Sequence, residues 1–144
     1  MAFPEPQLGL VLSYAYLWHR EHQAGREEGV KDRPCVIVLA LEKPGDGTTL
    51  VRVVPVTHST PTNPAAALEL PPAVKTHLRL DDGRSWIVLD EVNEFIWPGF
   101  DLRSVPHTRD PYAYGFLPPR LFDKLMVQLR ELWKTGQGRA IPRD

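Results

Sequence analysis

The chain has 144 residues, 42% hydrophobic and 24% charged, with a formal net charge of −1. That size and composition suit one soluble domain with one core, and the charge balance excludes a protein that coats nucleic acid through bulk positive charge. No apolar run nears the roughly 20 residues that cross a bilayer, "MAFPEPQLG" lacks a secretory pattern, and the single cysteine, Cys35, allows no internal disulfide, so the expected location is the cytoplasm.

In chain order, "LGLVLSYAYLW" (Leu8–Trp18) alternates two largely apolar faces and is predicted as a strand. The charged stretch "HREHQAGREEGVKDR" follows and is predicted as a long mobile loop. "PCVIVLALE" is a second strand, apolar and β-branched, in which Cys35 is expected as a buried, inert thiol rather than a nucleophile. The Pro-Gly and Asp-Gly pairs of "KPGDGTT" predict a turn, and "LVRVVPVTHS" a third strand. Pro55 within it implies a sheet edge or a bulge, because proline has no N–H for the ladder.

"ALELP" predicts a short strand, "PAVKTHL" one helical turn, and "RSWIVLDEVNEF" another strand. Residues 96–116 are proline-rich and are predicted as irregular. In "LPPRLFDKLMVQLRELWKTG", Leu121, Leu125, Leu129 and Leu132 recur at three- and four-residue steps, with charged residues opposite them. This predicts an amphipathic helix, with Pro119 near its start and Gly136 past its end. The last residues, "QGRAIPRD", are predicted as a frayed tail. Short strands and one late helix imply a mainly β, α+β fold: a small curled sheet or barrel closed by a C-terminal amphipathic helix.

Three stretches carry candidate chemistry. Arg33 sits one residue before a proline at the lip of an apolar strand, where its guanidinium either binds a phosphate or pairs at the surface with Asp32 or Glu28. Thr57, His58 and Ser59 end a strand before a loop. The imidazole is a candidate proton carrier and the hydroxyls candidate phosphate ligands, against the plainer alternative of a capped turn. Asp90 and Glu91 are adjacent and so face opposite sides of an extended chain, with Asn93 on the side of Glu91. Trp86 and Trp97 suit either base stacking or packing. No metal motif is present: His19 and His22 are near neighbours, but neither a cysteine pair nor HExxH accompanies them.

Together, "GLVLSYAYLW", "KDRPCVIVLAL" (for K-x-R-P-x-V-I/V), "VRVVPVTHS" (for V-x-P-I-T-S) and "SWIVLDEVNEF" resemble the PemK/MazF family of toxin–antitoxin toxins, over about residues 7–133. The resemblance implies one SH3-like domain over 1–144, with 134–144 as a flexible tail, that forms a homodimer. It implies a metal-independent endoribonuclease, without cofactor, that cuts single-stranded RNA by 2′-OH attack and is blocked by a cognate antitoxin. Arg33 and Thr57 fall on the family's catalytic arginine and threonine, and His58 is added between threonine and serine as a third catalytic candidate. Lys31, Ser59, Asp90, Glu91 and Asn93 are the expected substrate contacts, and residues 19–32 the expected flap beside the RNA groove. Asp90 fits an aspartate that some members carry on the later strand, but Val88 fills the place of the arginine that accompanies it.

Overall fold

The computed structural model describes residues 3–23, 31–105 and 112–143. Its strands are β1 (Leu10–Tyr14), β2 (Arg33–Glu42), β3 (Thr49–Thr57), β4 (Ala67–Glu69), β5 (Trp86–Val88), β6 (Glu91–Ile96), β7 (Ala113–Phe116) and β8 (Arg139–Pro142). Three α-helices join them: α1 (His19–Gln23), α2 (Pro72–His77) and α3 (Pro119–Lys134). The fold is mainly β, as the short apolar runs predict. The sheet runs β4-β5-β3-β2-β1-β7, with β6 also on β3 and β8 on β6. The β6–β8 pair is parallel and the others antiparallel.

Alternation along the central strands explains why the sheet is covered on both sides. Val11, Val36, Val54 and Val56 join one core cluster, which α3 caps with Leu125, Leu129 and Leu132. Leu12, Cys35, Ile37 and Val53 join a second cluster with Tyr14, Phe95 and Leu102. Strands buried on both faces read as continuous apolar runs, which is the pattern of "CVIVLAL". Cys35 is fully buried, as expected, and burial pushes its thiol pKa up. α3 begins at Pro119, whose missing N–H needs no partner in a first turn.

The structure departs from the sequence reading in five places. Pro55 is not at an edge: β3 pairs with β2 on one flank, and with β6 and then β5 on the other. Val53 is the last β3 residue on β6 and Val56 the first on β5, so Pro55 falls in the gap where no donor is required. Residues 86–96 form two strands, broken at Leu89–Asp90. The expected flap begins as α1, anchored by the His19 N–H donating to Glu91; residues 24–30 lie outside the described part. β7 emerges from the stretch read as irregular.

The fifth departure is the tail. Its residues form β8, Ile141 is buried, and the Arg143 guanidinium donates twice to Asp101, at 3.0 and 3.2 Å. Both partners of that ion pair are nearly enclosed, with side-chain exposures of 6% and 8%. Removing one partner strands the other charge in a dry site. Arg143→Met is therefore expected to lower the unfolding free energy by about 3 kcal/mol, read from urea titration of both proteins. An unchanged midpoint would show that β8 is not part of the folded unit.

Candidate functional site

Antiparallel pairing of Cys35 with Pro55 and of Val36 with Val54 sets the register of β2 against β3. Carried two residues further, it places Arg33 across from Thr57. An Arg33 Nη1 donates to the Val56 carbonyl at 3.4 Å, consistent with that register. Arg33, Thr57 and His58 accordingly line one cleft of about 580 Å³, together with Lys31 and Asp32. Another wall comes from the segment after α2, through Arg79, Leu80, Asp81 and Ser85.

Arg33 is half-buried. Its guanidinium carbon lies 5.0 Å from the centre of the Trp18 ring, which Arg20 also approaches, at 5.2 Å. Desolvation lowers its pKa, yet a guanidinium keeps its charge in proteins. Its Nε is buried with no hydrogen-bond partner, alone among the described side chains. Such a donor costs about 1–3 kcal/mol when left unmade.

His58 is exposed, but its ring is held on both sides. Nδ1 lies 2.9 Å from the Arg84 carbonyl and Nε2 lies 2.7 Å from Asp81 Oδ2. The Ser85 hydroxyl, able to donate or to accept, also lies 3.2 Å from Nδ1. Beneath the ring, the buried Lys75 donates to Asp81 Oδ1 at 2.6 Å, to Ser85 Oγ at 2.7 Å and to the Gly83 carbonyl. The Lys75 hydrogen bond foremost, and the His58 bond after it, hold the Asp81 carboxyl below its usual range.

A second cleft, of about 220 Å³, adjoins the first. Thr57 lines both. Ser59, Asp90 and Arg20 line the second alone, beside the hydroxyls of Thr60 and Thr62. Thr57 Oγ1 accepts from the Ser59 N–H at 3.1 Å, which fixes the turn that carries His58 and Ser59 out of β3. Desolvation raises the pKa of Asp90.

Six of the eight residues singled out from sequence therefore line one or both clefts: Lys31, Arg33, Thr57, His58, Ser59 and Asp90. The other two, Glu91 and Asn93, line neither cleft. Asn93 is fully buried, and its amide accepts from Leu17 N–H at 2.9 Å and donates to Leu17 O at 2.7 Å. Glu91 accepts from the Tyr16 hydroxyl and the His19 N–H. Both share the strand face deduced from their spacing, and that face fastens the chain after β1. Trp86 is buried, which makes it packing. His107 and the His22 side chain lie outside the described residues, among which no metal-holding cluster occurs.

Lys75, Asp81, Ser85 and Arg79 escaped the sequence reading. They come from a helix of six residues and the turn beyond it, where nothing local distinguishes them from surface polar residues. Compared with protein-family models, curated proteins and solved structures, the chain matches none.

Lys75→Met is expected to cost about 2 kcal/mol at neutral pH, because Gly83, Ser85 and Asp81 lose their shared donor. The part that comes from Asp81 has a definite pH sign. Its folded pKa lies below the ordinary 3.8, so this stabilisation is complete above that value and is lost as pH falls through the depressed one. Urea unfolding of both proteins from about pH 7 to about pH 3 should show the wild-type advantage narrowing with acid.

Proposed function

We propose that the protein is an endoribonuclease that cuts single-stranded RNA by 2′-OH attack, the toxin of a toxin–antitoxin pair. The observation that supports this most is Thr57's place between two clefts, with Arg33 across from it on the neighbouring strand. The resemblance of the K-x-R-P and V-P-V-T-H-S stretches to PemK/MazF toxins supports the same reaction and an SH3-like description of the sheet.

In this reaction the 2′-oxygen bonds to the adjacent phosphorus while the bond to the 5′-oxygen breaks. A 2′,3′-cyclic phosphate and a free 5′-OH result. Attack and departure occur on opposite sides of phosphorus, so the base and the acid must flank the phosphate. Asp90, in the second cleft, takes the 2′-OH proton; desolvation makes it a stronger base than an exposed carboxylate. His58, in the first, gives a proton to the departing 5′-oxygen. Arg33, which lines the cleft, neutralises the charge that grows on the phosphoryl oxygens. Lys31 and Ser59 hold the strand on either side.

Lys31, Arg33 and Arg79 outnumber the acids Asp32 and Asp81 in the first cleft, and Asp81 is matched by Lys75. A locally cationic groove on a chain of net charge −1 suits a short stretch of RNA rather than long-range attraction. It also suits the acidic segment of a cognate antitoxin as inhibitor. The same family likeness makes the protein a cytoplasmic homodimer; among the described residues no helix is long and apolar enough to cross a membrane.

One observation favours a second reading, a non-catalytic module that binds RNA or a protein in the same cleft. Both His58 ring nitrogens are engaged, so the ring also serves to brace the turn from Asp81 to Ser85. Incubating purified protein with a long single-stranded RNA separates the two. Cuts ending in cyclic phosphate, slowed about 10²–10³-fold by Arg33→Ala, are expected of the nuclease. Intact RNA after incubation with folded wild-type protein leaves the binding module.

A further inference from the structure

Arg79 occupies a backbone position that usually belongs to glycine. α2 closes with hydrogen bonds from Arg79 N–H to the Thr76 carbonyl, at 3.1 Å, and from Leu80 N–H to the Lys75 carbonyl, at 2.9 Å. These are the two bonds of a Schellman motif, whose residue after the cap turns left-handed. Arg79 does so, at φ 57°, alone among the described non-glycine residues. A Cβ is disfavoured in that conformation, and glycine adopts it freely. Elsewhere the chain follows the rule: Gly136 takes the corresponding place after α3, at φ 80°.

A side chain kept at a strained position calls for a reason in its surroundings. Arg79 lines the same cleft as Lys31, Arg33 and His58. Arg33 comes from the lip of β2 and Arg79 from another wall, just after α2. Glycine at 79 would relax the backbone and remove a guanidinium from the cleft.

We propose that Arg79 is a second phosphate-binding residue, which grips the phosphodiester next to the one held by Arg33, so that the cleft recognises two successive phosphates of one RNA strand. This rests on the RNA reading above. A guanidinium offers a planar pair of donors that fits a phosphate's oxygens and keeps its charge at any working pH. Two such groups lining one cleft fix the direction and register of a strand, which one alone does not. Contacts of this kind are blind to base identity.

The test uses strands that cannot be cut. Binding of a 2′-O-methylated RNA of about eight nucleotides and of a 2′-O-methylated nucleoside 3′-monophosphate is measured against salt for wild type, Arg79→Gly and Arg79→Lys. Arg79→Gly is expected to bind the longer strand roughly tenfold more weakly, compared at a temperature where both proteins are folded. The slope of log affinity against log salt should fall in magnitude by about 0.7. The monophosphate, with one phosphate to offer, should bind both proteins alike, and Arg79→Lys should keep the wild-type slope. Arg79→Gly with the wild-type affinity and slope overturns the proposal, as does an equal loss for the monophosphate. A wild-type protein that binds neither ligand instead overturns the RNA reading on which the proposal stands.

Discussion

Along β2 and β3, Cys35 faces Pro55 and Ile37 faces Val53, and all four side chains belong to one side of the sheet. A slip of one residue in such a ladder turns every side chain to the other face. Here a slip would push Cys35 and Ile37 out of their cluster, and it would carry Arg33 away from Thr57. The apolar packing of two strands and the meeting of guanidinium and hydroxyl are thus one constraint. Arg33 needs no dedicated scaffold at the lip of the strand, because the core that fixes Cys35 two residues on also fixes Arg33. The gap at Pro55 adds to this. By ending the β6 pairing at Val53 it frees the last residues of β3 for short β5, and the chain then turns outward at Thr57.

Another wall is built on a different principle. α2 is too short to be stable alone, and its amino end is two prolines. What holds it is apolar contact at Val74 and Leu78 and the buried amine of Lys75, which reaches into the turn that follows. A buried ammonium is costly unless each proton finds an acceptor. Asp81, Gly83 and Ser85 are three acceptors for three protons. The cleft therefore has one wall fixed by hydrophobic register and another by a satisfied polar cluster.

This difference explains what could be read from residues alone. β2, β3 and α3 are legible because their signals are local: β-branched runs, a Pro-Gly and Asp-Gly turn, and leucines at helical spacing. Arg33 and Thr57 inherit that legibility from their strands. Glu91 and Asn93 show its limit, since spacing gives the face they share but not what covers it, and the cover turned out to be the chain after β1. β7 and β8 are four residues each and draw their stability from neighbours distant in sequence. The Lys75 cluster has no pattern at all before the fold exists, and neither does the left-handed turn at Arg79, which takes a residue that propensity argues against.

The cluster also bears on the proton transfer proposed for His58. A ring engaged at both nitrogens is well oriented, and in the proposed reaction a carboxylate whose only cation were the imidazolium would oppose the step. Asp81 is not in that position. One of its oxygens faces His58 and the other faces Lys75, a second basic partner independent of the ring. In the proposed reaction the amine beneath would serve as a counter-ion to Asp81, so that proton loss from the ring would leave no lone anion beside the RNA phosphate. A histidine paired with an aspartate alone would lack this reserve, and the phosphate would meet the full repulsion of the carboxylate.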